Sequence, residues 1–472
     1  MIDTELVRKI NSEHASDIFN KLYGQHEIES ARRRYVSLIN GMTHNNFPEE
    51  ELKNASGDYR IFTSPGRTEL AGNHTDHNRG KVLAASIQMD SVAVVQKRND
   101  NIIFFRSKGF PDVKVKLTDA SGSPDLQPKP EEARTTEALI RGIAAELNRR
   151  YSASKGVCSE KDNCAVGGFS ANAESTVLPG SGLSSSAAIE VLIGRILDSL
   201  YGGTGDEVSR AKLSPLEIAQ IGQYAENVYF EKPCGLMDQT ACSTGGAVAI
   251  DFKDADHPIV KQINFDLSTI GYALCVVNTG GNHADLTSDY ASIPAEMKST
   301  AAFFGRQVLR ELDKETILSR AAEIRKTLGD RALLRAIHFF DENARVEKMS
   351  NILLEMENAK RDYEKHTAFY RYLKLVDESG DSSWKLLQNV YSPNNPAGQG
   401  ITTALALTKD FLSNQSYKGS YRVHGGGFAG TIQTYIPLNA IDAYRACIEN
   451  VFGAGSVTPL RIRPAGAVEL VF

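Results

Sequence analysis

Residues 65–80 read PGRTELAGNHTDHNRG, and in them His74, Asp76 and His77 set two imidazoles and a carboxylate within four positions. Two chemistries use such a set. Imidazole and carboxylate ligate divalent metals, and the same groups can donate to and accept from the hydroxyls of a polyhydroxylated substrate.

Residues 178–197, LPGSGLSSSAAIEVLIGRIL, join a glycine-rich turn and three serines to an apolar helix. Free backbone N–H groups and the positive end of a helix dipole attract an anion, and phosphate fits that need. The lysine of GxxxxGK[ST] is missing, as is the third glycine of the dinucleotide fingerprint. A serine-rich helix cap is the competing reading. Residues 424–431, HGGGFAGT, lie between two expected strands, where adjacent glycines serve close backbone approach or a simple bulge. Residues 233–246, PCGLMDQTACSTGG, hold one acid, Asp238, which is either a general base or the cap of the next helix.

The elements that position these stretches follow from periodicity. DYRIFTS reads as a strand running into the opening motif, and SVAVVQKRNDNIIFFRSK as two strands about the turn at residues 98–101. Leu139, Ile143 and Leu147, with Ile140 and Ala144, form a helical stripe. A second helix starts just after Gly182. Ser214, Pro215 and Glu217 make a capping box that opens a third, running to about Phe230. GGAVAIDF and IGYALCVVNTG are strands, residues 288–377 are mostly helical, and SYRVHGGGFAGTIQTYIP is strand, loop, strand, followed by a helix from about Asn439. Helix and sheet mix without strict alternation, which predicts two α+β domains. The expected division is a polar helical leader at 1–55, a substrate and phosphate-binding domain at 56–255 and a C-terminal domain at 256–472. The run Arg32-Arg33-Arg34 reads as a solvated face.

The chain has 472 residues, 41% hydrophobic and 24% charged, with a net charge of -5. Nothing in that balance attracts polyanions, which argues against nucleic acid as a partner. No apolar run nears a membrane span and the N-terminal stretch lacks a signal-like h-region, so no membrane partner and a cytoplasmic location are expected. Of six cysteines only Cys158 and Cys164 sit close together, and reduced thiols are the expectation.

In combination these stretches resemble the three signature motifs of the galactokinases, of the GHMP kinase superfamily that includes homoserine and mevalonate kinases. PGRTELAGNHTDHNRG is similar to the galactokinase signature, PGSGLSSSAA to the superfamily's phosphate loop and RVHGGGFAGT to its third motif; PCGLMDQ and the preceding QYAEN also fit. The motifs keep the family's order from about Arg33 to Phe472. The resemblance implies an N-terminal domain like ribosomal protein S5 domain 2, a ferredoxin-like C-terminal domain, and a cleft site between them. It implies ATP-dependent phosphorylation of galactose at C1, with Mg²⁺. By resemblance Asp238 is the base and Arg67 its catalytic partner; Asn73, His74, Asp76, Gly235 and Tyr290 bind sugar. Gly180, Ser181, Gly182, Leu183, Ser184, Ser185 and Ser186 hold ATP phosphates, and Ser186 and Glu226 the metal.

Helix-face packing for Tyr290 and solvation for Glu226 stay open as alternatives. The metal reading of His74 and His77 recedes, because an HxHxDH site needs histidine where Gly72 stands.

The sequence departs from the signature at several positions. Asn73 stands where the family has the glutamate for the C6 hydroxyl, and Glu69 where it has asparagine. His77 replaces tyrosine, His424 threonine and Ala429 glycine. Galactose with unusual tolerance at C6 is therefore expected. The alternatives are galacturonate, N-acetylgalactosamine or arabinose as acceptor, or a non-catalytic sugar and ATP sensor. The resemblance leaves oligomeric state and adenine pocket undefined.

Overall fold

The computed structural model describes residues 4–43, 46–154, 165–178, 180–202, 213–281, 286–414 and 417–472. Cys158 and Cys164 lie outside them, and among the described residues Cys234, Cys242, Cys275 and Cys447 are free thiols. No described helix is long and apolar enough to cross a membrane.

The strands, in chain order, are β1 (Ala55–Ala71), β2 (Lys81–Arg98), β3 (Ile102–Ser107), β4 (Val113–Lys116), β5 (Phe169–Ser175), β6 (Ala247–Asp251), β7 (Ile259–Ile263), β8 (Tyr272–Asn278), β9 (Ser420–His424), β10 (Thr431–Pro437), β11 (Val457–Leu460) and β12 (Val468–Leu470). The larger sheet runs β12-β1-β2-β5-β3-β4, with β6 pairing β2 and β7. Side chains alternate across a strand, and both faces here are apolar. Phe62, Ala93, Val95, Ile103 and Phe105 pack with Ile140, Ile143 and Leu147 of the helix Thr136–Ser154 and with the helix Ser185–Tyr201. Ile61, Val92, Val94 and Phe104 point the other way, under the leader helices Glu13–Tyr23 and Ile28–Gly41. The leader is thus the cover of a second hydrophobic face.

The smaller sheet is antiparallel, β11-β8-β10-β9. Numbered along the chain, its four strands stand in the order 4-1-3-2 with helices after the first and third, a ferredoxin-like arrangement. Helices Gly400–Asn414 and Ile441–Phe452 contribute Ile401, Leu405, Tyr444 and Ile448 to the cluster that also holds Val277 and Ile432 of its strands. The α+β expectation holds. Two strands beyond residue 255, β7 and β12, nevertheless join the larger sheet, so the chain returns to its first unit at the end.

Two expectations change. The strands flanking residues 98–101 are not a hairpin: β5 lies between them, antiparallel to β2 and parallel to β3. Arg34 is no solvated side chain either, because it donates to Oδ1 of the buried Asp90 at 2.6 Å. The capping box at Ser214 and Glu217 is present as expected, and the helix it opens continues through a π turn, Ala225–Tyr229.

Candidate active site

Pairing of β1 with β2 shifts between Pro65 and Arg67 and again between Glu69 and Ala71. Such irregularities bend a strand and re-aim its side chains. Arg67, buried, reaches the helix Met237–Thr244, where its Nε and Nη2 donate to Oδ1 and Oδ2 of Asp238, both at 2.8 Å. Burial alone lowers the Arg67 pKa, but the charge and hydrogen bonds of Asp238 outweigh it and the net shift is upward. Asp238 does not cap its helix; it also accepts from the Ser184 hydroxyl. Its side chain keeps 36% of its surface exposed, so a ligand can reach the carboxylate.

Arg67 also fastens the phosphate loop, its Nη1 donating to the Gly182 carbonyl and its backbone N–H to the Leu183 carbonyl. Gly182 adopts φ 72°, a left-handed conformation suited to glycine. The serines do not act as a cap: Ser184, at the cap position, makes no capping bond, and the Ser181 hydroxyl goes to the Leu178 carbonyl at 2.6 Å. The helix Ser185–Tyr201 therefore begins without a side-chain cap, and its first N–H groups suit an anion. Gly180 and Leu183 complete the turn, while Ser185 opens the helix beside the exposed Ser186.

Glu226, in the π turn, is buried rather than solvated. It accepts from Lys232 at 2.9 Å and from Gln239 at 2.9 Å. The same Gln239 amide donates to Oε2 of Glu190 at 2.9 Å, and Oε1 of Glu190 has no partner. Burial, then the charge of Glu226, drives the Glu190 pKa well above the usual carboxylate range. Sequence reasoning missed Glu190. Its signal was a carboxylate within an apolar stretch of helix, four residues after Ser186 and so on the same face.

Beyond β1 the chain turns through His74, at φ 59°. The ring Nε2 lies 2.9 Å from the Gly426 carbonyl. A carbonyl only accepts, so Nε2 carries the proton and Nδ1 is left as an acceptor. Burial holds the His74 pKa down at about 4, so the ring is neutral near pH 7. Asp76 accepts the His77 N–H at 2.9 Å and presents its other oxygen to Gly235. A Cβ at residue 235 would sit 2.3 Å from that oxygen, so any larger residue there would displace the Asp76 carboxylate. Tyr290 donates to the Gly427 carbonyl at 3.1 Å, and its ring lies against Gly426. No described group of three or more His, Cys, Asp or Glu side chains is placed to hold a metal ion.

Asn73 is held by protein partners. Its side chain is fully buried and its amide is committed to protein: Nδ2 donates to Gly425 O at 2.5 Å and to Glu69 at 3.1 Å, and Oδ1 accepts from Asn389 at 2.7 Å. It thereby ties the opening motif to the third motif and to Asn389. Glu69 in turn forms a buried ion pair with Arg422 at 2.6 Å. His424 bridges Thr68 at 3.0 Å and Thr431 at 2.9 Å, beneath Gly182, and ties the third motif to the phosphate loop.

Residues 138–246 match the GHMP kinases N terminal domain, and residues 49–97 the Galactokinase galactose-binding signature. A galactokinase of Streptomyces coelicolor is 29% identical over 87% of this chain and 94% of its own length. One from Glaesserella parasuis is 28% identical over 82% and 87%. Among solved structures, Lactococcus lactis galactokinase complexed with galactose superposes with a TM-score of 0.66, at 22% identity, over 97% of this chain and 99% of that one.

Proposed function

We propose, on the premise that the chain belongs to the galactokinase family of the GHMP kinases, that it transfers the γ-phosphoryl group of ATP to the C1 hydroxyl of D-galactose. The observation that carries this reading is the bidentate pair of Arg67 and Asp238, set between the phosphate loop and the turn bearing His74 and Asp76.

Phosphoryl transfer asks the protein mainly for positioning and charge stabilisation. Arg67 fixes both oxygens of Asp238, one of which accepts the C1 proton. The guanidinium then faces the oxygen that gains the phosphoryl group. The uncapped helix start and the loop from Gly180 to Ser186 receive the phosphates. Asp76 accepts from sugar hydroxyls, Nδ1 of His74 accepts from another, and Gly235 and Tyr290 wall the pocket.

The Ser186 hydroxyl and Glu226 carboxylate are hard oxygen donors of the kind Mg²⁺ takes alongside phosphate and water, and the Glu190 carboxyl, one oxygen of which has no partner, lies beside them at Gln239. Bound Mg²⁺ supplies charge neutralisation on the phosphates. Lys232, whose side chain is 61% exposed, pairs with Glu226 at 2.9 Å on the solvent side. Glu226→Ala is expected to raise the half-saturating Mg²⁺ concentration by about tenfold or more with the sugar KM little changed, as loss of one of few ligands implies. A rise in sugar KM alone would move Glu226 out of the metal site.

The reading as a whole is tested by ATP consumption across galactose, galacturonate, N-acetylgalactosamine and arabinose. Galactose is expected to give the highest kcat/KM; preference for another acceptor would replace the substrate while keeping the reaction. No turnover on any of them, with sugar binding intact, would point to a sensor.

A further inference from the structure

We infer that Asn389 is a positioning residue for the sugar pocket, holding His74 in the one tautomer that leaves Nδ1 facing the substrate; this rests on the galactokinase reading above. No motif marks Asn389 in the sequence. It follows the π turn Ser383–Leu387 and Gln388, whose φ of 59° redirects the chain into the site.

Asn389 is fully buried, and its Nδ2 donates to Oδ1 of Asn73 at 2.7 Å and to the Gly426 carbonyl at 3.1 Å. Its own carbonyl accepts the Phe428 N–H at 2.5 Å. One residue thereby joins the galactose-binding signature to the glycine loop. The Gly426 carbonyl is also the acceptor for Nε2 of His74, so Asn389 and His74 share it from two sides. With that oxygen fixed, the imidazole has one proton position and one orientation. Oδ1 of Asn389 stays buried without a partner. A buried acceptor left without a partner is destabilising, so stability alone is a poor reason for this side chain, and the loop position it enforces is a better one.

Two variants test this. Asn389→Ala deletes both bonds. Asn389→Asp keeps the shape but turns an acceptor toward two acceptors, Asn73 Oδ1 and Gly426 O, and serves if the alanine variant does not fold. Expected for each is a galactose KM raised roughly tenfold, the factor that loss of about one good contact implies, with the ATP KM within about twofold of the parent. Nitrogen-15 NMR of labelled histidine should show His74 as the Nε2–H form in the parent and as a tautomer mixture in the variants. A purely structural role would lower kcat or stability and leave both readouts unmoved; either readout unmoved overturns the assignment. If the parent does not phosphorylate galactose, the substrate reading fails separately, and the tautomer measurement still decides what Asn389 does to His74.

Discussion

Asp238→Asn is expected to lower kcat by about 10²–10⁴-fold, the usual worth of a general base, while the galactose KM stays within a few-fold of the parent. Asparagine keeps the shape and one acceptor oxygen, so the sugar is still seated; what disappears is the negative charge that takes the C1 proton. The variant also leaves Arg67 without its ion-pair partner in a buried position, so thermal unfolding is measured in parallel to separate lost chemistry from lost fold. The arginine makes the prediction sharper. If Arg67 alone carried the rate through charge stabilisation, freeing it from Asp238 would leave turnover near that of the parent. Turnover within about tenfold of the parent, in a folded variant, rejects Asp238 as the base.

The site was legible to the extent that its information is local. The capping box at Ser214 and Glu217 needs four adjacent residues and stands as read. The alternation of Ile61 with Phe62, and of Val92 and Val94 with Ala93 and Val95, announces a sheet buried on both faces before any partner is known. The motifs bring Arg67, Gly182, His74 and Asp238 into one region because each motif is a complete turn or strand end with its own reason to face a ligand.

What the sequence hid depends on direction and on distant segments. Spacing put Asn73 in the signature, but the strand shift beyond Glu69 decides that its amide turns inward to Asn389, 316 positions away. The turn at residues 98–101 looked like a hairpin because a turn shows no third strand. β5, with the polar alternation FSANAES and an origin at Phe169, well beyond that turn, fills the gap. Arg34 was indistinguishable from its two neighbours, since a charge run carries no mark of which member meets a buried acid.

That buried acid sets the largest expected change in stability. Asp90 is fully buried on β2 and gathers Arg34 of the leader at 2.6 Å, Arg463 near the C-terminus at 2.8 Å and the Tyr23 hydroxyl at 2.6 Å, with Thr63 of β1 beside them. Three stretches far apart in the chain thus meet on one carboxylate. Asp90→Asn leaves two guanidinium groups facing a neutral amide, and removing one partner of a buried pair costs about 3–5 kcal/mol.

The pH dependence follows from the sign of the shift. Burial pushes Asp90 up, but Arg34 and Arg463 outweigh it and hold its pKa below the usual carboxylate value. A depressed folded-state pKa gives stability that is fully present above the unfolded value, roughly 3.9, and is lost as pH falls through the folded one. The gap between parent and Asp90→Asn in urea midpoint should therefore be level from about pH 5 to 8 and shrink below about pH 4. Because Asp90 anchors the leader, proteolytic clipping within residues 4–43 should quicken in the variant, while the galactose KM of the intact fraction is unchanged. A gap that persists undiminished at about pH 3, or a variant as stable as the parent at neutral pH, would mean that the leader is held by its apolar face alone.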